Sequence, residues 1–285
     1  KIVITTANKI EELLVQVRRK EFKKRAVTRL PLSLAPGVDL SVNMFNLVLE
    51  AKKGGFVWLD ARTNTPVKTE SRWFCESSGN PIKLDSEVVY TYEYGGTSVV
   101  FTKEDVAEMK RIDDFVGIRL MGFKPRRMLK PYHNITHSSF LYPNDQHMKG
   151  SAVAFVALVN SMVERDVFAV ARMTPRVNAV PKFVALLPQL ETEGPDGNQV
   201  EPGGLHVIPL PFADDIRQVT LDPHEKADEA SVDAAKQLAR KLAIVFDSEN
   251  FENPALQKHY ASLQALALDR DSFDEPGDFI MPDYE

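Results

Sequence analysis

Through the middle of the chain, apolar and polar residues take turns at a period of two. Leu30, Leu32 and Leu34 alternate with Arg29, Pro31 and Ser33, and Val38, Leu40, Val42 and Met44 follow in the same rhythm. That period is the mark of a half-buried strand. VKTESRW (67–73) alternates Lys68, Glu70 and Arg72 with less charged neighbours and predicts a further strand. VVYTYEY (88–94) places Val88, Tyr90, Tyr92 and Tyr94 on one face, turns at Gly95-Gly96 and returns as TSVVF. Together these stretches predict an antiparallel meander. More strands are predicted at 117–123, 138–142, 167–173, 181–187 and 204–210, with the polar loop ETEGPDGN between the last two.

Helical spacing is confined to fewer places. Ile10, Leu13, Leu14 and Val17 predict a helix over 9–17. Thr102 and Asp105 form a capping box that opens a short helix to Arg111. Ser151 is expected to cap a helix running to about Arg165. The style changes after Pro223: residues 225–246 and 254–268 are predicted helical, the second with Asn253 as N-cap and Pro254 at its first position. The tail from Asp269 to Glu285 has little periodicity and is expected to lie extended. Many strands with few helices predict a barrel or a sandwich, mainly β with some α. There is no internal repeat.

Composition narrows the picture. The chain is 44% hydrophobic and 26% charged, ordinary for a globular protein. It has no run of eighteen apolar residues of the kind that spans a membrane, and its start lacks a secretory h-region. The first residue is Lys1, which predicts a piece of a longer chain. A single cysteine, Cys75, allows no internal disulfide and suits a reducing compartment, where the sequon Asn134-Ile135-Thr136 stays unused.

Charge changes the picture most. The net charge is -5, yet residues 18–29, RRKEFKKRAVTR, hold seven Lys and Arg against one acid. Residues 1–150 carry 24 basic and 17 acidic residues, and residues 151–285 carry 11 and 23. Such a split predicts two faces with different partners, the basic one suited to a polyanion.

Signatures of catalysis are absent from the sequence. There is no P-loop, GxGxxG, HExxH, GxSxG or CxxC. His133 and His137 lack the further ligands of a metal site, so they are expected to be ordinary surface or hydrogen-bonded histidines. Asp113-Asp114 and Asp214-Asp215 suit turns better than acid-base chemistry. Cys75 has no activating base nearby in sequence and is expected to be inert. No catalytic residue, metal or cofactor is predicted.

What remains is cations distributed through the first half, among them Arg29, Lys53, Arg72, Lys103 and Lys110. Spread cations without a base-reading helix suit sequence-independent contact with duplex phosphates, and equally a solvated basic face. Tyr90, Tyr92 and Tyr94 offer either a stacking platform or, the commoner case, a packed sheet face.

Several stretches resemble one family. LMGFKP (120–125), TPR and VPKFVALLPQ (174–176 and 180–189), LPFADD (210–215) and FENPALQKHYASLQALALD (251–269) are similar to Ku, in particular to its smaller, seventy-kilodalton-type subunits. NLV (46–48) and PVKTESRWF (66–74) agree with them. The likeness runs from about residue 10 to 282.

The resemblance implies a core β-barrel with an insertion that forms half of a DNA-encircling bridge, followed by a C-terminal arm. It implies a helical linker from a missing N-terminal domain at 1–24, the barrel at 25–222 with the bridge at about 52–98, and a truncated helical arm at 223–285. It implies sequence-independent binding of double-stranded DNA ends as one half of a ring. The other half is a larger Ku subunit, in an obligate heterodimer that scaffolds non-homologous end joining. End-joining kinase and ligase factors, a place at telomeres and a nuclear location come with it; a membrane does not. DNA-facing positions carried over from the family are Arg25, Arg29, Lys53, Arg72, Lys103, Lys110 and Arg176.

Three departures stand out. Arg126 and Arg127 occupy places where the family is more apolar, Gly54-Gly55 replaces a proline-rich stretch, and Trp58 stands where a basic residue is common. Competing readings are an abasic-site lyase acting through a lysine Schiff base and a protein-only interaction module. The family is also labelled an ATP-dependent helicase, for which the chain has no phosphate-binding motif.

Overall fold

The structure is a computed structural model that describes residues 26–82, 88–112, 114–193, 199–217, 226–248 and 251–270, with 272, 273, 275, 277, 278, 280 and 281. The helix expected at 9–17, the linker at 1–24 and Arg25 lie outside the described residues. The strands are β1 (Thr28–Ala35), β2 (Val38–Phe45), β3 (Trp73–Phe74), β4 (Pro81–Ile82), β5 (Tyr90–Tyr94), β6 (Thr97–Phe101) and β7 (Gly117–Pro125). They continue as β8 (Ser139–Pro143), β9 (Val167–Thr174), β10 (Lys182–Gln189), β11 (Thr192–Glu193), β12 (Gln199–Glu201) and β13 (Gly204–Pro209). The helices are α1 (Lys103–Lys110), α2 (Ser151–Glu164), α3 (Glu229–Lys241) and α4 (Pro254–Ala267).

Seven strands close into a barrel in the order β1-β2-β8-β13-β10-β9-β7, and β7 returns to β1 as the single parallel pair of that ring. Closure removes the open edges that a sandwich leaves. Alternation decides which way each side chain points. Leu30 and Leu32, Val42, Ile118, Ala171, Val184 and Val207 meet in one buried cluster inside the barrel. Phe155, Val159 and Met162 of α2, spaced at helical intervals, join the same cluster. Since α2 packs against β2, β8, β13, β10 and β9, it covers one opening of the barrel.

The N-terminus of α2 differs from expectation. Gly150 occupies the cap position with φ of 87°, and the Ser151 hydroxyl points inward to accept the Ser41 amide at 3.0 Å. The Asp145 carboxylate accepts the Ala152 amide at 2.8 Å instead, so a residue from the preceding turn performs the capping.

The predicted strand over 67–73 does not form. That stretch contributes only Trp73 to a two-residue pairing with β4, and Leu59 bridges Pro66. Among the described residues no strand ladder runs along 67–72, and its side chains are exposed. The hairpin β5–β6 does form. Gly95 and Gly96 have φ of 59° and 80°, the two positive values that a tight hairpin turn of this hand requires.

The chain clusters into two compact units, Lys1–Leu49 with Arg72–Arg217, and Glu50–Ser71 with Gln218–Glu285. In the second unit, α3 is shorter than the predicted 225–246. The Asp228 carboxylate caps it, accepting from Ser231, and Leu242 ends it. The Asn253 side chain caps α4 with Pro254 in the first turn, as the sequence predicts. Leu238, Leu242, Val245, Leu263 and Leu266 stay exposed. No helix among the described residues is long and apolar enough to cross a membrane.

Candidate nucleic-acid interface

The segment 46–116 joins β2 to β7, and those are the two strands that flank β1 in the barrel. With Leu30 and Leu32 turned into the core, Arg29, Pro31 and Ser33 face outward on the strand between the insertion's two roots. Arg29 is exposed, and its guanidinium lies 3.4 Å from the imidazole Nε2 of His147.

Inside the insertion, α1 presents Lys103 at its first position and Lys110 in its last turn. Both are exposed, and a separation of seven residues places them on one face about 10 Å apart along the axis. The capping box fixes this helix. The Thr102 hydroxyl accepts the Asp105 amide at 3.2 Å, and the Asp105 carboxylate accepts the Thr102 amide at 2.8 Å. The same Thr102 amide and hydroxyl hold the Asp105 carboxyl below the usual carboxylate range.

Arg72 is exposed just before β3, and Arg176 is exposed in the turn after β9. Of the family-derived positions, Arg29, Arg72, Lys103, Lys110 and Arg176 thus fall in the barrel unit. Lys53, also exposed, falls in the other unit. Arg126 and Arg127 form an exposed single turn after β7.

Two cations that the sequence reading passed over stand on the outer barrel wall. Arg119 on β7 is register-paired with Arg172 on β9, and Ser33 on β1 pairs with Arg119. Each interrupts an apolar alternation, Ile118-Arg119-Leu120 and Ala171-Arg172-Met173. A charge at an outward position was the available signal.

The tyrosines do not form a packed face. Tyr90, Tyr92 and Tyr94 face the same side as Phe101, Val99 and Thr97, and the tyrosines are 51%, 66% and 75% exposed. The hairpin has no core of its own on either side.

The other candidates resolve into local roles. The His133 imidazole Nδ1 accepts the Lys130 amide at 3.3 Å. Asp215 accepts the Phe212 amide at 2.9 Å and closes a turn, and Asp114 pairs with Arg111 at 2.6 Å. Asp113 lies outside the described residues. Among the described residues, no group of three or more His, Cys, Asp or Glu converges as a metal site.

Cys75 departs from the expectation of an inert thiol. The Ser77 hydroxyl, 3.2 Å from the sulfur, and then Ser78 bring its pKa down to about 6.

The family profile for the Ku70/Ku80 beta-barrel domain matches residues 34–237, and that for the Ku70/Ku80 C-terminal arm matches residues 245–285. Mouse X-ray repair cross-complementing protein 6 is 42% identical over 279 residues, covering 98% of this chain and 46% of its own length. The ATP-dependent DNA helicase ku70 of Dictyostelium discoideum is 36% identical, covering 97% of this chain and 39% of its own length. The ATP-dependent DNA helicase 2 subunit KU70 of Arabidopsis thaliana is 38% identical, covering 99% and 45%. The chain spans less than half the length of each of these three relatives.

Proposed function

Because the chain belongs to the Ku family, with the family's barrel over residues 34–237 and its arm over 245–285, we propose that it forms one half of a heterodimeric ring on double-stranded DNA ends. The observation that carries this reading is the insertion rooted on both neighbours of β1. The proposed arch thus leaves and rejoins the barrel on either side of β1, whose outward face carries Arg29. The arch needs no base-reading element: phosphates meet cations, and the ring supplies the preference for ends. Arg29, Arg72, Lys103, Lys110 and Arg176 are the proposed phosphate contacts of the barrel unit, with Lys53 and Arg25 added from the family pattern.

Two further features favour an assembled state. A two-stranded hairpin is marginal in water, and β5–β6, whose contact in the chain is with α1, gains stability against a partner or a duplex. The exposed leucines of α3 and α4 are a surface for a second barrel, which is the proposed role of the arm at 223–285. In this reading the barrel covers 25–222, with the bridge at 52–98 and the linker at 1–24.

The partner is the larger Ku subunit, and this chain is the smaller, seventy-kilodalton-type subunit, in keeping with the names of its relatives. Its proposed setting is the nucleus, where it scaffolds end joining with kinase and ligase factors and serves at telomeres. Helicase activity belongs to the names of two relatives; the 285 residues here contain no GxxxxGK[ST] phosphate loop.

The test is a gel shift of the chain assembled with the larger subunit, using linear duplex against covalently closed circles of equal length. Linear DNA of any sequence is expected to bind, and circles to compete poorly. Arg29→Ala and Arg176→Ala are each expected to lower the salt slope by about one unit, equally for all sequences. Equal competition by circles defeats the ring.

A further inference from the structure

Two adjoining hollows lie on the outer wall of β7, β9 and β10, sharing the Phe183 side chain. The larger, about 570 Å³, is floored by Leu120, Met121 and Phe212 and edged by Arg119, Arg172 and Lys182. The smaller, about 370 Å³, is floored by Phe168, Val170 and Leu129 and edged by Lys124 and His133. Both lie on the outward face of the sheet: Arg119, Arg172 and Phe183 are cross-strand neighbours in one row, and Lys124 pairs with Phe168 two outward rows further along β9, past Val170. Phe183, which lines both hollows, and Phe212, which lines the larger, have ring centroids 5.3 Å apart. Arg119 is held over the Phe115 ring at 4.2 Å. Among the described residues lining the two hollows, none is acidic; the nearest carboxylates are that of Asp215, which accepts the Phe212 amide, and those of Glu108 and Asp114 in the depression beyond Ile112.

The groove runs from β7, the neighbour of β1, round to β10, three strands from β1. Its lining separates it from the proposed DNA wall. A duplex backbone brings charge and no apolar groups, which would leave two aromatic-floored hollows empty. A ligand that fills them carries apolar side chains at intervals and negative charge between.

We infer that this groove takes an acidic peptide segment of another protein, anchored by an aromatic side chain in each hollow and paired with Lys182 and Lys124. Anchors in pockets supply the affinity, and charge complementarity at the rim sets orientation and excludes basic segments.

The probe is a fluorescein-labelled peptide of Asp-Phe repeats, titrated into the assembled protein and followed by polarisation. Lys-Phe and Asp-Ala repeats of the same length serve as controls. Asp-Phe is expected to bind, and both controls to fail. Lys182→Glu, at an exposed position, is expected to weaken binding by about tenfold or more. Phe212→Ala is expected to do the same, with DNA-end binding unchanged in both. Binding should persist when a linear duplex is loaded first. The inference is overturned if Asp-Phe does not bind the assembly, as when another element covers the groove. Indifference to Lys182→Glu overturns it too, as does displacement of the peptide by duplex, which would assign these cations to nucleic acid.

Discussion

Gly204 opens β13 where that strand passes closest to β8. A Cβ there would lie 2.5 Å from the Leu141 carbonyl oxygen and 2.5 Å from the Phe140 ring, both parts of the barrel itself. Neither can yield without disturbing the β8–β13 ladder, which pairs Leu205 with Leu141 and Val207 with Ser139. Gly204→Ala is therefore expected to destabilise the fold by about 1–3 kcal/mol, read as a lower urea midpoint. A midpoint within error of the parent would show that the ladder relaxes freely. Such a requirement is not visible in the sequence, where Gly204 is only the first residue of the strand predicted at 204–210. Ser151 and Cys75 teach the same lesson. Ser151 has the right residue type for a cap and an inward task with Ser41. Cys75 lacks a base in sequence, and hydroxyls two and three residues on lower its pKa. Residue types were legible; the atoms they meet depend on how the backbone turns.

At the scale of elements, local chemistry was the reliable guide. The capping box of α1 involves only residues three apart, so it was readable and it formed. It also orients Lys103 and Lys110. Thr102→Ala is expected to weaken that helix by about 1 kcal/mol, seen as faster hydrogen exchange of its amides. The same helix should respond to acid. The Asp105 carboxyl is depressed by the Thr102 amide and then its hydroxyl. Its contribution is thus full above the ordinary carboxylate pKa and lost as pH falls through the lower folded value. Protection of the α1 amides, with the intrinsic pH dependence of exchange divided out, is expected to fall in that acid window in the parent, and to fall less in Asp105→Asn. Where an element depends on a distant partner, the sequence misled. The alternation over 67–73 has the strand rhythm without a ladder to join. The alternating tyrosines have a sheet face with nothing on it among the described residues. Period two predicts that a strand's faces differ; it does not say what either face meets.

At the scale of the whole molecule, closure rests on pairings far apart in sequence. The chain places β13 between β8 and β10, and β7 beside both β9 and β1. Alternation alone leaves barrel and sandwich equally open. The resemblance resolved the family, and the closed order then placed both roots of the insertion beside β1. That arrangement leads to a physical consequence for the proposed assembly. A ring closed by an extensive protein interface opens slowly, so a duplex enters by threading over its end. Once loaded, the ring is held by topology as well as by phosphate contacts, and only the second of these weakens with salt. Loading the heterodimer on a linear duplex and then ligating the ends is expected to trap it on the circle through a high-salt wash that strips unligated controls. Cutting the circle in the same salt should release it. Trapped protein that washes off as readily as from linear DNA would mean that the cations grip the duplex from one side and that no ring closes around it.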